Sequence, residues 1–254
     1  MADAPVSVER DGTVAILRLD RPPVNALELG LAAEMGRRLT EVEASDAGAI
    51  VLTGAGACFS AGLDLKVVPR YGREEQRAMV AAANRLLARL YACPRPVVAA
   101  INGHAIAGGF VIALACDYRV AVESGCKLGL TEARAGIPFP AAAMTILRAE
   151  LAPAPARRLT LYARNVDPAT ALACGAVDEL APAARVRERA LEVARDMAAI
   201  PRETYTRIKH QLRADVMARL GEIDAGGADP LLAAWLDSEA GGAAAAVLRG
   251  EGGT

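Results

Sequence analysis

Two short apolar runs, AIVLT at 49–53 and PVVAAI at 96–101, each end in a glycine-rich turn. This pairing constrains the chain more than any other feature. Neither run alternates apolar with polar residues, so each reads as a strand covered on both faces, the pattern of a parallel sheet flanked by helices. The first turn is GAGACFSAGLD, at 54–64. The second is NGHAIAGG, at 102–109, which opens the further apolar run FVIALAC. A single turn of this kind is explained by tight packing. Two in one chain predict more: each can present an unpaired backbone N–H at the start of a helix, and two donors aimed at one point make an oxyanion hole. Ala61, Gly62, Gly108 and Gly109 are small enough to let a ligand carbonyl come close to the backbone.

The flanking segments alternate in type. TVAILRL at 13–19 is a short β-rich stretch ended by Asp20, Arg21 and two prolines. Residues 28–43 place Leu31, Met35, Leu39 and Val42 at helical spacing, and 74–92 is a longer helix stopped by Pro94 and Pro96. A helix is expected over 109–116 and a strand over YRVAV at 118–122. Repeated strand-turn-helix units predict an α/β fold. From about residue 185 the pattern is nearly all helical, and the glycine-rich 241–254 is expected to fray. No linker separates independent domains, so the chain divides into a core over 1–185 and a helical C-terminal segment over 186–254.

The totals exclude several classes. With 254 residues, 53% of them hydrophobic, the chain can bury a sizeable core. A net charge of −1 from 29 basic and 30 acidic residues gives no electrostatic case for nucleic acid or an anionic membrane. Five scattered cysteines, no CxxC pair and only His104 and His210 argue against a disulfide scaffold or a metal site and for a reducing, cytoplasmic setting. The opening MADAPVSVERDG lacks the apolar stretch of a signal peptide. Residues 97–116 carry no formal charge and are about long enough to span a bilayer. Asn102, Gly103 and His104 near their middle argue against a membrane helix.

Two familiar site patterns fail. GAGACF begins like a dinucleotide-binding GxGxxG, but Phe59 stands at the third glycine and no acidic residue follows at the needed distance. Ser60, His104 and Asp117 could form a hydrolytic triad on paper, yet Cys58 occupies the first glycine of the G-x-S-x-G elbow.

Three segments together resemble the crotonase (enoyl-CoA hydratase/isomerase) superfamily over nearly the whole length. RPPVNAL resembles its R-P-x-x-x-N-A-L opening, and GAGACFSAGLDL its G-x-G-x-x-F-[SC]-A-G-x-D-[IL] loop. PRPVVAAINGHAIAGGFVIALACDYRVA resembles its K-P-x-[IV]-A-A-[IV]-x-G-x-[AC]-x-G-G-G block, which ends in Cys-Asp. The resemblance implies a spiral core of ββα units and a helical C-terminal segment used in trimer contacts. It also implies an acyl-CoA thioester as substrate, with coenzyme A present only as part of it. By motif position the thioester oxygen lies between the N–H groups of Ala61 and Gly108. Gly62, Leu63, Asp64, Lys66, Gly109 and Val111 are the further substrate-binding positions. Lys209 is a candidate for the nucleotide end, although an ordinary surface charge is the better reading of both Lys66 and Lys209. His104 is expected to pack, and Asp117 to hold a helix end or a turn.

Hydratases of this family resemble one another in two glutamates. The first falls three residues after the donor glycine, where this chain has Val111; the second matches Glu132 in GLTEARAGIP. A lone loop glutamate is ordinarily solvated, but its place in the motif makes Glu132 the candidate base. One base and an oxyanion hole suffice to move a double bond from 3,4 to 2,3 in an enoyl-CoA. The block AGG-x-x-x-AL-x-CDYR resembles the Δ3,Δ2-enoyl-CoA isomerase branch. A 2-enoyl-CoA hydratase and a non-catalytic acyl-CoA binder are the alternatives. Phe139, Pro140 and three alanines replace the common G-I-x-P-G-x-G-G pattern, which leaves the acyl pocket's shape open. A homotrimer or a dimer of trimers is expected, with Trp235 in LLAAWL at 231–236 as an interface anchor.

Overall fold

A computed structural model describes residues 4–226 and Asp229. Trp235 and the run around it lie outside these residues.

The apolar runs assemble into two sheets. Val6–Asp11 (β1) and Val14–Leu19 (β2) form an antiparallel hairpin through Gly12, at φ 57°. From β2 onward the larger sheet is parallel, adding Ala49–Gly54 (β3), Val97–Ile101 (β5), Tyr118–Val122 (β7) and Glu179–Ala181 (β9) in the order β1-β2-β3-β5-β7-β9. Every residue of β3 and β5 is buried, as their uninterrupted apolar sequence requires. A smaller parallel sheet consists of Cys58–Ser60 (β4), His104–Ile106 (β6) and Leu128–Gly129 (β8).

The pairs β3/β4, β5/β6 and β7/β8 each place one strand in each sheet. After them come, in turn, Arg73–Ala92 (α2), Gly108–Leu114 (α3), and a 3₁₀ turn at Glu132–Ala135 followed by Ala141–Glu150 (α4). This is the spiral of ββα units that the resemblance implied. Leu29–Ala44 (α1) precedes β3. Its Leu31, Met35, Leu39 and Val42 are all buried, and Glu28 caps it by accepting from Leu31 N–H at 2.7 Å and Gly30 N–H at 2.8 Å. Pro153–Arg157 (α5), which runs on into a π-helical turn at Arg158–Tyr162, Pro168–Ala173 (α6), Val186–Ala198 (α7), Arg202–Leu212 (α8) and Ala214–Ala225 (α9) follow among the described residues. Helix α7 packs on β3, β5 and β7, and α9 on α2 and α4.

The structure corrects two local expectations. The first glycine turn leads into β4 and not into a helix; the second reaches its helix only through β6, and that helix spans 108–114 instead of 109–116. Strands of two or three residues carry no readable periodicity. The glycines are explained by the crossing of the two layers. A Cβ at Gly54 would stand 2.3 Å from Cys58 O, and one at Gly103 would stand 2.0 Å from Ala57 O. Asn102 ties the same crossing together, accepting from Gly54 N–H at 3.0 Å and donating to Gly56 O at 2.9 Å. The uncharged stretch 97–116 is therefore β5, β6 and α3. Among the described residues no helix is long and apolar enough to cross a membrane.

Lys209 is a further correction. It is buried, 5% exposed, so it is neither a surface charge nor a free contact for a nucleotide. Its Nζ donates to Asp117 Oδ2 at 2.8 Å, and Arg213 meets Asp117 Oδ1 at 3.0 Å. Asp117 also accepts from Val97 N–H at 2.8 Å, so it anchors the start of β5 and the helical C-terminal segment together.

Candidate active site

The site begins with the loop that holds Asn25. This residue is fully buried at φ 50°, and its Nδ2 donates to Cys58 O at 2.7 Å and Ala55 O at 3.0 Å. Its own carbonyl accepts from Ser60 Oγ at 2.8 Å. Arg21 pairs with Asp64 at 2.7 Å. The loop is thus laid along the chain leaving β4, and Leu27 and Leu63 form a parallel bridge: Leu27 N–H donates to Gly62 O at 2.7 Å and Asp64 N–H to Leu27 O at 2.8 Å.

That bridge fixes which N–H groups are free. Ala61 N–H donates to Val24 O at 3.0 Å, so the donor expected there is already engaged. In a parallel bridge the central residue's own N–H faces away from its partner. Leu63 N–H accordingly has no acceptor among the described residues. Gly108 is the first residue of α3, and its N–H is likewise without an acceptor. The two loops meet closely. A Cβ at Gly62, which sits at φ 76°, would lie 2.8 Å from Gly108 N and 2.9 Å from Ile106 O. Ala107, just before Gly108, holds φ 53° and ψ −134°, a strained setting for a residue with a Cβ. Its N–H donates to Gly129 O at 2.7 Å and its carbonyl accepts from Phe110 and Val111, which fix it from both sides.

Ala61, Leu63, Gly108, Val111 and Glu132 line one cavity of about 680 Å³, a size suited to a small-molecule ligand. Its wall is mostly apolar and includes the inward faces of α2 and α4. Glu132 starts the 3₁₀ turn after β8, and that turn buries it: it is 7% exposed and its Oε2 has no hydrogen-bond partner. Burial pushes the carboxyl up to about 8, opposed only by a hydrogen bond from its own backbone N–H. A carboxyl raised toward neutral pH, lining the same cavity as two free N–H donors, can take and return a proton while a carbonyl oxygen gathers charge.

The other expected positions lie off this wall. Gly109 serves packing, since a Cβ there would stand 2.2 Å from Ser60 O. Gly62 provides the close approach of the loops. Asp64 is held by Arg21, and Lys66 is exposed, with its N–H on Asp64 Oδ1 at 2.9 Å. His104 Nδ1 accepts from Lys127 N–H at 3.0 Å, a packing role. Sequence reasoning missed Leu63 as a donor and Asn25 as the organiser of its loop. RPPVNAL carried the signal for Asn25; nothing local marks the direction of the Leu63 N–H, which depends on pairing across the chain.

Residues 9–228 match the family model for enoyl-CoA hydratase/isomerase. The chain belongs to this family. Among relatives in the enoyl-CoA hydratase/isomerase family, the mitochondrial enoyl-CoA delta isomerase 1 of Mus musculus is 34% identical over 233 residues, covering 88% of this chain and 80% of the relative. A short-chain-enoyl-CoA hydratase of Clostridium acetobutylicum is 32% identical over 192 residues, covering 74% and 73%. The crystal structure of human mitochondrial delta3-delta2-enoyl-CoA isomerase superposes with a TM-score of 0.89 at 29% identity, covering 97% of this chain and 98% of that one. Names among the relatives thus divide between hydratase and isomerase.

Proposed function

We propose that the protein isomerises 3-enoyl-CoA to trans-2-enoyl-CoA. The observation that carries this reading is Glu132, a buried carboxyl on the cavity wall whose Oε2 has no hydrogen-bond partner, with fully buried Val111 where a second acid would stand. In its ionised form Glu132 removes a C2 proton. The electron pair delocalises into the thioester as an enolate, whose oxygen takes hydrogen bonds from Leu63 and Gly108 N–H. Electrons then flow to C4, which receives the proton back from Glu132, and the double bond rests between C2 and C3. Val111 and the apolar wall keep water from competing for the intermediate. Lys66, at the surface beyond the Leu63 loop, is available to the phosphates of coenzyme A.

Hydration of 2-enoyl-CoA is the second reading, favoured by the hydratase names among the relatives. It requires an activated water, and Val111 cannot hold one. A binder without turnover would use the same cavity and would not need Glu132. Incubation with 3-enoyl-CoA and with 2-enoyl-CoA, with identification of the products, separates the three. The proposed assembly is a homotrimer or a dimer of trimers, supported by exposed Leu161, Tyr162 and Leu212. A reducing cytoplasmic setting is proposed from the cysteine pattern.

A further inference from the structure

Helix α2 presents Met79, Val80, Ala83 and Leu87 to the cavity, and Ala143 of α4 lines it as well. Two alanines, Ala83 and Ala143, put little bulk on the cavity wall between the helices. Next to them in the chain sits a polar cluster that apolar packing does not call for. Asn84 is 5% exposed and Asp229 8% exposed. Asn84 Nδ2 donates to Asp229 Oδ2 at 2.9 Å. The same oxygen accepts from Ala141 N–H at 2.6 Å, and Asn84 Oδ1 accepts from Ala142 N–H at 3.0 Å.

The cluster has a clear local cause. Ala141 and Ala142 are the first residues of α4, and their N–H groups have no intrahelical acceptor. The capping position is Pro140, which has no side-chain oxygen to offer. Asn84 and Asp229 supply the cap from other parts of the chain. In doing so they fix the spacing of α2 and α4, because Asn84 adjoins Ala83 and Ala142 adjoins Ala143. Asn84 does not itself line the cavity.

The geometry points to Asn84 as a positioning residue for acyl-tail selection: with Asp229 it clamps α4 to α2 and sets the spacing of the cavity wall between them, which takes acyl tails extending beyond the reacting carbons. This rests on the acyl-CoA reading of the cavity, although not on isomerase turnover. A buried polar clamp is costly unless every bond is made, so breaking one bond releases the helix spacing and not only one contact.

The test is calorimetric titration of the full chain with saturated six-carbon and twelve-carbon acyl-CoA, which needs no turnover. The wild type binds the twelve-carbon ligand at least ~10-fold more tightly, as added buried methylenes require. Asn84→Ala reduces that advantage by ~10-fold, while the six-carbon Kd moves less than ~2-fold. Asp229→Leu behaves like Asn84→Ala. Thermal melts establish that each variant is folded, and Asn84→Ser replaces Asn84→Ala if the latter is not. A wild type indifferent to tail length, or variants in which both ligands weaken together or the ratio stays fixed, overturns the inference. Tail-dependent binding without turnover leaves it standing and removes the isomerase reading instead.

Discussion

Glu132 concentrates the chemistry and the cost of the site in one side chain. Its carboxyl is raised from 4.5 to about 8 by burial, so the folded state prefers it protonated. For kcat/KM the working form is the carboxylate, and activity should climb with pH until it levels above about 8. For stability the sign is opposite. A carboxyl whose folded value lies above its unfolded value costs nothing at low pH, and the penalty grows from about pH 4.5 to about 8. Glu132→Gln should therefore lose ~10²–10⁴-fold in turnover and gain thermal stability, with a larger gain at pH 8 than at pH 5. Paired melts at the two pH values check this, and an equal shift at both would contradict it. Ala107 offers a second residue-scale prediction. Ala107→Gly releases ~1–3 kcal/mol of backbone strain and returns ~0.5–1 kcal/mol as chain entropy, a net gain of about 1 kcal/mol in urea unfolding with the site's geometry retained. Glu132 and Gly108 were legible as candidates because side-chain type and motif position reveal them. The second donor was not: Ala61 and Leu63 both sit in the motif, and only the bridge to Leu27 decides which N–H is free.

At the scale of elements, the helical C-terminal segment is locked to the core through buried charge. Lys209 and Arg213 both meet Asp117, and Arg213 also reaches Glu150 at 3.6 Å. Asp117→Ala leaves two buried cations without their shared partner and should cost about 3–5 kcal/mol, read by chemical denaturation. A loss below about 1 kcal/mol would mean that α8 is held by its apolar contacts alone. The long elements were legible because their periodicity is. α1 and α2 follow the spacing of Leu31, Met35 and Leu39 and the stop at Pro94, and β3 and β5 follow unbroken apolar runs. The second sheet was hidden, since β4, β6 and β8 have only three, three and two residues. Its signature was indirect: Gly54, Gly103 and Asn102, each placed where one layer crosses the other.

At the scale of the whole molecule, two sheets and the helices that follow their strands bring loops from distant parts of the sequence to one cavity. The family's spiral was legible from its motifs, whereas the cavity's width was not, because it depends on how α2 and α4 are clamped. Exposed apolar side chains, with Leu161 at 76% and Leu212 at 84% exposure, predict that the active unit is a trimer or a dimer of trimers. Light scattering at micromolar concentration should return three or six times the 26.3 kDa chain mass, and a monomeric mass would refute the assembly. If the assembly holds, Trp235→Ala should weaken it. The central claim is that one carboxyl and two backbone donors move a double bond. Its most direct measurement is the product formed from 3-enoyl-CoA and from 2-enoyl-CoA by the wild type and by Glu132→Gln, resolved by chromatography and mass. Trans-2-enoyl-CoA should form from the 3-enoyl substrate faster than any 3-hydroxyacyl-CoA arises from the 2-enoyl substrate, and its formation should be nearly abolished in the variant. Faster hydration than isomerisation, or a folded Glu132→Gln variant with wild-type isomerisation, would contradict it.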